Sequence, residues 1–334
     1  MYGPVFLYRG RVMVPYSKPY LTIQEQLSLL RGRGLDISDE PRAEAALQRI
    51  GYYRLSGYWY PLRKSIPIID PMTGREVIQV LDEFRPGASF ASVLDLYVFD
   101  KKFRLLFLDA IERIEIGLRV DVALQMGRYD PWAHRCADLL HPRFARQKKD
   151  ELTDHQRWIN KLDASELSSK ESFASHFKQK YGGPLPLWMA VELWDFGRLS
   201  HFMAGMRDAD LDPLAASYGL PRRTLLTSGV RAINHVRNIC AHHGRLWNRP
   251  PADQPRLPRP GEVPVLDHLI GDNLAQTRLY AVAAMIRLLM RRINPSSSWA
   301  ERLKAHVETF PPIPGVTFGQ SGFPPGWQSL SLWR

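Results

Sequence analysis

The segment FRLLFLDAIERIEIGLR (residues 103–119) decides the fold class of this chain. Its large apolar residues recur at steps of four, four, three and four, and they are Phe103, Phe107, Ile111, Ile114 and Leu118. This spacing places them on one face of an α-helix. We expect the helix to run from about residue 92 to 126 and to end at Gly127. A neighbouring face carries Glu112, Glu115 and Arg119.

The flanking segments predict a mainly α-helical chain with a minor β element. Thr22 and Glu25 match a capping box, and so do Ser298 and Glu301. Residues 65–88, with a turn at Pro71–Gly74, predict a short hairpin. Further helices are expected at about 39–50, 186–206, 222–244, 272–293 and 298–309, and one or two short ones within the polar stretch 141–182.

These patterns suggest four segments. Residues 1–19 form an N-terminal arm, 20–88 an N-terminal helical region with the possible hairpin, and 89–310 a helical core. Residues 311–334 are expected to form an extended C-terminal strap, packed by Trp327 and Trp333.

Composition favours an anionic partner in a reducing compartment. Lys and Arg outnumber Asp and Glu by 45 to 34, giving a net charge of +11. Clustered cations gain free energy by releasing phosphate counterions, which favours nucleic acid, although a merely basic surface has the same composition. Two cysteines make no disulfide framework, and the chain shows no signal peptide or membrane-length apolar run. We expect a soluble cytoplasmic protein.

The segment RAINHVRNICAHHGRLWNR (231–249) holds the most informative polar residues. On a helix, steps of three, four and three place four of them on one face: His235, Asn238, His242 and Arg245. Arg237 lies five residues before His242, about 140° away around an ideal helix. Either the long Arg side chain bends round, or two copies of the helix meet so that Arg and His converge across a dimer interface.

The run from Arg237 to His242 resembles the R-x4-H signature of HEPN ribonucleases, including the Asn that follows the Arg. Over about residues 20–330 the chain also resembles the Abi-like family, the abortive-infection proteins of the AbiD and AbiF type. The blocks that carry this resemblance are GYYRLSGYWYPLR (51–63), DAIERIEIGLR (109–119), PLWMAVELWDFGRLSHF (186–202), RNICAHHGRLWNR (237–249) and GFPPGW (322–327).

The resemblance implies a helical bundle of HEPN type and a ribonuclease toxin that acts in phage defence. Arg237 and His242 are the implied catalytic pair, with Asn238 as the supporting polar residue. A neutralising partner, such as a structured small RNA or an antitoxin, is also implied. Some HEPN toxins carry a nucleotide-accepting Tyr two residues after the His. This chain has Gly244 there, which puts that mode of neutralisation in doubt.

The residue types suit RNA cleavage without a metal or other cofactor. Histidine suits proton transfer near neutral pH, and the planar guanidinium of arginine matches phosphate oxygens. We expect a metal-independent endoribonuclease that leaves 2′,3′-cyclic phosphate ends and works as a homodimer. The alternatives are a non-catalytic RNA-binding regulator and a protein-interaction module whose charge is incidental.

Other polar residues have weaker assignments. Glu112, Glu115 and Arg119 either orient the catalytic pair or form an exposed i, i+4 ion pair. His235 and Arg245 are possible supporting residues, and His243, Arg54 and Arg63 possible RNA contacts. The aromatic residues around Arg54 favour a core. Zinc at His235, Cys240 and His243 is disfavoured because no second ligand pair is evident. Glu192 and Asp195 resemble a structural carboxylate pair on one helix face.

Overall fold

The computed structural model describes residues 18–71 and 73–334, together with the backbone of strands β1 (Leu7–Tyr8) and β2 (Arg11–Val12). It divides into two compact units. The first contains the described residues up to Tyr97 together with Pro311–Val316, and the second contains Val98–Phe310 and Thr317–Arg334. Most of the expected N-terminal arm falls outside the described residues, and the four-segment division stays a prediction.

The first unit combines three short helices with a hairpin: α1 (Ile23–Gly32), α2 (Glu40–Arg49), α3 (Tyr52–Trp59), β3 (Arg63–Ile69) and β4 (Glu76–Phe84). The capping box predicted at the start of α1 is confirmed. The hydroxyl of Thr22 accepts from the N–H of Glu25, whose carboxylate accepts from the N–H of Thr22. Orphan amide groups are thereby satisfied at the first turn.

The predicted hairpin is also confirmed. Strands β3 and β4 pair antiparallel, with Ile66 opposite Gln79 and Ile69 opposite Glu76. Gly74 lies in the connecting turn with a φ of 65°, a conformation that glycine adopts without a steric penalty. The guanidinium of Arg85 donates to the backbone oxygen of Arg63 at 2.8 Å and thereby ties down the base of the hairpin.

Helix α4 (Phe90–Gly127) begins in the first unit and continues into the second. The second unit then contains α5 (Pro142–Ala145), β5 (Lys148–Lys149), β6 (Leu152–Thr153), α6 (Asp154–Ser168), α7 (Ser172–Tyr181), α8 (Leu187–Ala190), α9 (Phe196–Ala204) and α10 (Asp208–Ser217). It ends with α11 (Arg223–Ala241), α12 (Asn273–Thr277), α13 (Leu279–Ile293) and α14 (Trp299–Glu308).

The core of the second unit forms around α4, α11 and α13. The five apolar residues that predicted α4 are all buried. Helix α11 packs against α9, α10 and α13. Two glycines allow close approaches to α13. A Cβ at Gly117 would lie 3.1 Å from the side chain of Ile293, and one at Gly229 would lie 2.8 Å from the Cγ of Met285. A side chain at either position would require Ile293 or Met285 to shift.

Several local predictions were wrong. The helix expected at 186–206 is two helices, because Asp195 leaves the helical conformation and caps α9 by accepting from the N–H of Arg198 at 2.7 Å. The helix expected at 272–293 breaks at the extended Arg278. The side chain of Ser298 makes no capping hydrogen bond, so the second capping box is absent. The polar stretch 141–182 is also more helical than expected, since it contains α5, α6 and α7.

The fold class is therefore confirmed as mainly α-helical with a minor antiparallel β element. Trp327 and Trp333 of the C-terminal segment are buried, as expected. Among the described residues, no helix combines the length and the apolarity needed to cross a membrane.

Candidate active site

The C-terminal end of α11 presents His242 at the protein surface. The helix ends at Ala241, and His242 is its C-cap residue, with its N–H donating to the backbone oxygen of Asn238 at 3.0 Å. The N–H of His243 donates to the oxygen of Cys240 at 3.1 Å, and that of Gly244 to the oxygen of Ile239 at 2.8 Å. This pair of bonds is a Schellman motif, which ends the helix and satisfies its last carbonyl groups.

The motif places a histidine where glycine is usual. His243 has a φ of 58°, in the left-handed region that costs a residue with a Cβ about 1 kcal/mol. Gly244 follows in a confined position, because a Cβ there would lie 3.1 Å from Nη1 of Arg249 and 3.3 Å from the oxygen of Ile239. The imidazoles of His242 and His243 are both exposed. The conformation of His243 and the confined position of Gly244 therefore fix the backbone that carries the two exposed imidazole rings.

Helix α11 ends before residue 244, where the sequence predicted its end, so the four residues expected on one helix face do not all lie on it. His235, Asn238 and the cap residue His242 keep their helical spacing, but Arg245 lies beyond the end of the helix and does not continue that face. Arg245 is half-buried in the following loop. His235 holds a neighbouring segment in place, since its Nε2 accepts from the N–H of Ala252 at 3.1 Å.

Arg237 lies beside the polar face of α4 that the sequence singled out. Its Nη1 donates to Oδ1 of Asn238 at 3.4 Å, and its positive charge acts on the carboxylate of Glu115. Burial raises the pKa of Glu115, while the nearby Arg119 and Arg237 oppose that rise. Nη2 of Arg119 donates to Glu115 at 2.6 Å and also to the backbone oxygen of Trp194.

The structure therefore brings Arg237, Glu115 and Arg119 together as one electrostatic group. Glu115 and Arg119 are largely buried, so they do not form the exposed ion pair that was the alternative interpretation. Glu112 is exposed at the edge of this group, and its negative charge contributes to the raised pKa of Glu115. The charge of Arg237 thus acts on a largely buried carboxylate that is itself paired with Arg119.

Asp100 is a residue of this region that the sequence analysis missed. Its carboxylate is fully buried, and it accepts from the N–H groups of Leu246 at 3.1 Å and Trp247 at 2.7 Å. It also pairs with the buried guanidinium of Arg104. Asp100 thus anchors to α4 the loop that follows His242. The signal was its place on the apolar stripe of α4, three residues before Phe103, where a charged side chain is exceptional.

The other candidates have different surroundings. Arg54 and Arg63 belong to the first unit, where Arg54 is exposed on α3 and Nη1 of Arg63 lies 3.0 Å from the carboxylate of Asp82. In the same segment Tyr58 and Trp59 are buried, as expected for a core, whereas Tyr53 and Tyr60 are exposed, so the expectation is met by only part of the aromatic residues.

Two further expectations concern a structural carboxylate pair and a disfavoured zinc site. Glu192 and Asp195 do not share a helix face, because Glu192 lies in a 3-10 turn and Asp195 caps the next helix. Cys240 is buried, which raises the pKa of its thiol. The described part of the chain contains no group of three or more His, Cys, Asp or Glu residues that could hold a metal ion.

Comparison with known proteins places the chain in a family. No curated protein and no solved structure gives a significant match. The family model of Abi-like proteins matches residues 45–248, about three fifths of the chain, and the matched range includes both α4 and the R-x4-H segment at the end of α11. The chain therefore belongs to the Abi-like family of abortive-infection proteins.

Proposed function

We propose that this chain is a metal-independent endoribonuclease toxin of phage defence, with Arg237 and His242 as its catalytic pair. The observation that carries the proposal is the end of α11. There His242 is the exposed C-cap residue of the helix. Arg237 donates a hydrogen bond to Asn238 and interacts electrostatically with the largely buried carboxylate of Glu115. Membership of the Abi-like family and the net charge of +11 support an antiviral role directed at RNA.

The proposed reaction is an internal transesterification of RNA. The 2′-oxygen attacks the adjacent phosphorus as its proton passes to an imidazole, and the bond from phosphorus to the 5′-oxygen breaks. The leaving oxygen takes up a proton, so the products are a 2′,3′-cyclic phosphate and a 5′-hydroxyl. His242 accepts and donates the protons, and the guanidinium of Arg237 stabilises the charge that develops on the phosphorane. Asn238 orients the side chain of Arg237 or of His242.

The geometry of one chain favours a second copy in this mechanism. Arg237 and His242 differ by about 140° around α11, so two antiparallel helix ends bring Arg and His together across an interface more readily than one helix does. Beside Glu112 and Arg119, α4 carries exposed apolar side chains at four-residue steps: Ile116 (50% exposed), Val120 (49%) and Leu124 (71%). Such a stripe is suited to burial in a homodimer.

A toxin of this kind requires control in the cell. We propose that it acts on cytoplasmic RNA and is neutralised by a structured small RNA or an antitoxin. Nucleotide attachment to a Tyr two residues after the His does not apply, because Gly244 occupies that position and a side chain there would crowd Arg249 and Ile239.

The test is cleavage of end-labelled cellular RNA by purified protein in EDTA. Wild type is compared with Arg237→Ala and His242→Ala, and His176→Ala serves as a control on α7. We expect wild type and the control to cut RNA and leave cyclic phosphate ends, and the two site variants to lose at least about two orders of magnitude in rate.

Other outcomes reject the proposal in distinct ways. Equal activity in all four proteins would point to a contaminant or another site. Cleavage abolished by EDTA would contradict the metal-independent mechanism. RNA binding without cleavage by any form would favour the non-catalytic regulator.

A further inference from the structure

A basic cleft of about 670 Å³ lies alongside α11, on the N-terminal side of the candidate active site. Helix α11 contributes Thr227, Arg231 and Asn234 to it, and α9 contributes Ser200 and His201. On α11, steps of four, three and four residues connect Thr227, Arg231, Asn234 and Asn238, so the floor of the cleft and Asn238 share one helix face.

Arg256 also lines the cleft, and the segment 252–256 that carries it is tethered to α11 along its length. Its Ala252 N–H donates to His235 and its Asp253 carboxylate lies 3.0 Å from Nε of Arg231. The N–H of Arg256 donates to Oγ of Ser228 at 3.0 Å. These tethers hold the segment in place and bring Arg256 to the cleft.

The charge and hydrogen-bonding groups of the cleft match a ribose phosphate chain. Three guanidinium groups from separate parts of the unit line it, those of Arg143, Arg231 and Arg256. One of them, Arg231, is paired with Asp253, and within the described part of the chain no Asp or Glu lines the cleft itself. Oδ1 of Asn234 is buried and has no hydrogen-bond partner among the described residues. Arginine matches phosphate oxygens, and an orphan amide oxygen accepts a donor such as a ribose 2′-hydroxyl.

The cleft lies within reach of the proposed cutting centre. Eleven residues separate Arg231 from His242, about 16 Å along the helix axis at 1.5 Å per residue. This distance corresponds to a few nucleotides of an extended strand. We propose that the cleft binds the sugar-phosphate backbone of single-stranded RNA on one side of the scissile bond. The part of this inference that places the scissile bond near His242 rests on the proposed function. RNA binding in the cleft is measurable without cleavage.

The test measures binding of a short fluorescent single-stranded RNA to His242→Ala protein at several salt concentrations. The triple variant Arg143→Gln, Arg231→Gln, Arg256→Gln on the same background should bind at least about tenfold more weakly. Each lost phosphate contact should lower the slope of log affinity against log salt by about 0.7, hence by about 2 for three contacts.

A second variant keeps all three arginines. Ser200→Glu adds a negative charge to the cleft wall, while Ser200→Gln adds the same bulk without the charge. The first should weaken RNA binding and the second should not. Arg291→Gln, at the C-terminal end of α13 and outside the cleft, should leave both affinity and salt slope unchanged.

The outcomes separate this inference from the proposed function. If wild type cuts no RNA but the cleft variants lose RNA affinity and salt slope, the nuclease proposal fails and the cleft inference holds. If wild type cuts RNA and the cleft variants bind it with unchanged affinity and slope, the cleft inference is overturned. It is also overturned if the His242→Ala protein binds no RNA, or if a mononucleotide binds to it as tightly as the oligonucleotide.

Discussion

Removal of the Asp100 carboxylate should unfold the loop behind His242 and destabilise the whole unit. Asp100 is fully buried and accepts two backbone N–H groups, from Leu246 and Trp247, while pairing with Arg104, which is itself buried. In Asp100→Ala the guanidinium of Arg104 loses its buried partner, which typically costs 3–5 kcal/mol, and two amide groups also lose their acceptor.

We expect Asp100→Ala to lower the free energy of unfolding by about 4 kcal/mol. Asp100→Asn keeps one acceptor oxygen for Trp247 but removes the charge that faces Arg104, so we expect a smaller loss of about 2 kcal/mol. The total free energy of unfolding of an ordinary domain is about 5–15 kcal/mol, so the loss in the alanine variant is a large fraction of it.

The measurement is urea unfolding followed by tryptophan fluorescence and circular dichroism, with the denaturant slope compared between variants. Asp109→Ala is the matched control on the same helix. Its partially exposed carboxylate pairs with Arg302 at 2.5 Å, and its loss should cost no more than about 1 kcal/mol.

A loss below about 1 kcal/mol in Asp100→Ala would refute this reasoning, because the buried pair would then contribute no more than a surface pair. The double variant Asp100→Asn, Arg104→Met gives an independent check. If the cost arises from an unpaired buried charge, removing that charge should recover part of the stability lost in Asp100→Asn.

Three further predictions concern the left-handed cap residue, a buried imidazole and the apolar stripe. His243→Gly should raise the free energy of unfolding by about 1 kcal/mol in urea titration, because φ at this position is 58° and glycine adopts it freely. Burial lowers the pKa of His134 to about 3, so the unfolded chain takes up a proton below about pH 6.5 while the folded chain does not. The free energy of unfolding should therefore decrease as the pH is lowered, and this group should account for a loss of about 2 kcal/mol at pH 5. His134→Leu should remove that part of the pH dependence. Leu124→Glu should convert a dimer to a monomer in analytical ultracentrifugation, whereas Leu167→Glu, on an exposed position of α6, should not.

Each of these has a contradicting result. No stabilisation in the glycine variant would mean that the interactions of the His243 side chain offset the strain of its left-handed backbone. An unchanged difference in stability between pH 7 and pH 5 in His134→Leu would mean that another group titrates. If the wild-type protein is a monomer, the apolar stripe of α4 does not form a homodimer interface, and the proposed role of a second copy is rejected.

The mainly α-helical class of this chain could be predicted from local sequence patterns. Phe103 and its partners repeat at helical spacing over four turns, and Thr22 with Glu25 forms a cap within four residues. These features depend on groups close together along the chain, so their free energies do not depend on where the rest of the protein lies.

The element boundaries near the site were less predictable. Residues 186–206 carry enough apolar periodicity for one helix, yet Asp195 caps a new one in the middle. Asp in a helix interior costs only about 0.7 kcal/mol relative to Ala, a penalty that the apolar periodicity of this segment could outweigh, so local propensity alone does not choose between an interior position and a cap. The end of α11 at Ala241 likewise depends on a left-handed His243, a conformation that histidine does not favour by itself.

Local patterns in the sequence were enough to predict the helical class and the hairpin, and to identify Arg237, Asn238 and His242 as a group worth testing. Only the tertiary structure placed Glu115 beside Arg237, anchored Leu246 and Trp247 to Asp100, and aligned Arg143, Arg231 and Arg256 along one cleft. The physical reason is sequence separation. Asp100 and Trp247 are 147 residues apart, and such contacts form only when packing of the whole unit offsets the entropy of closing the intervening chain.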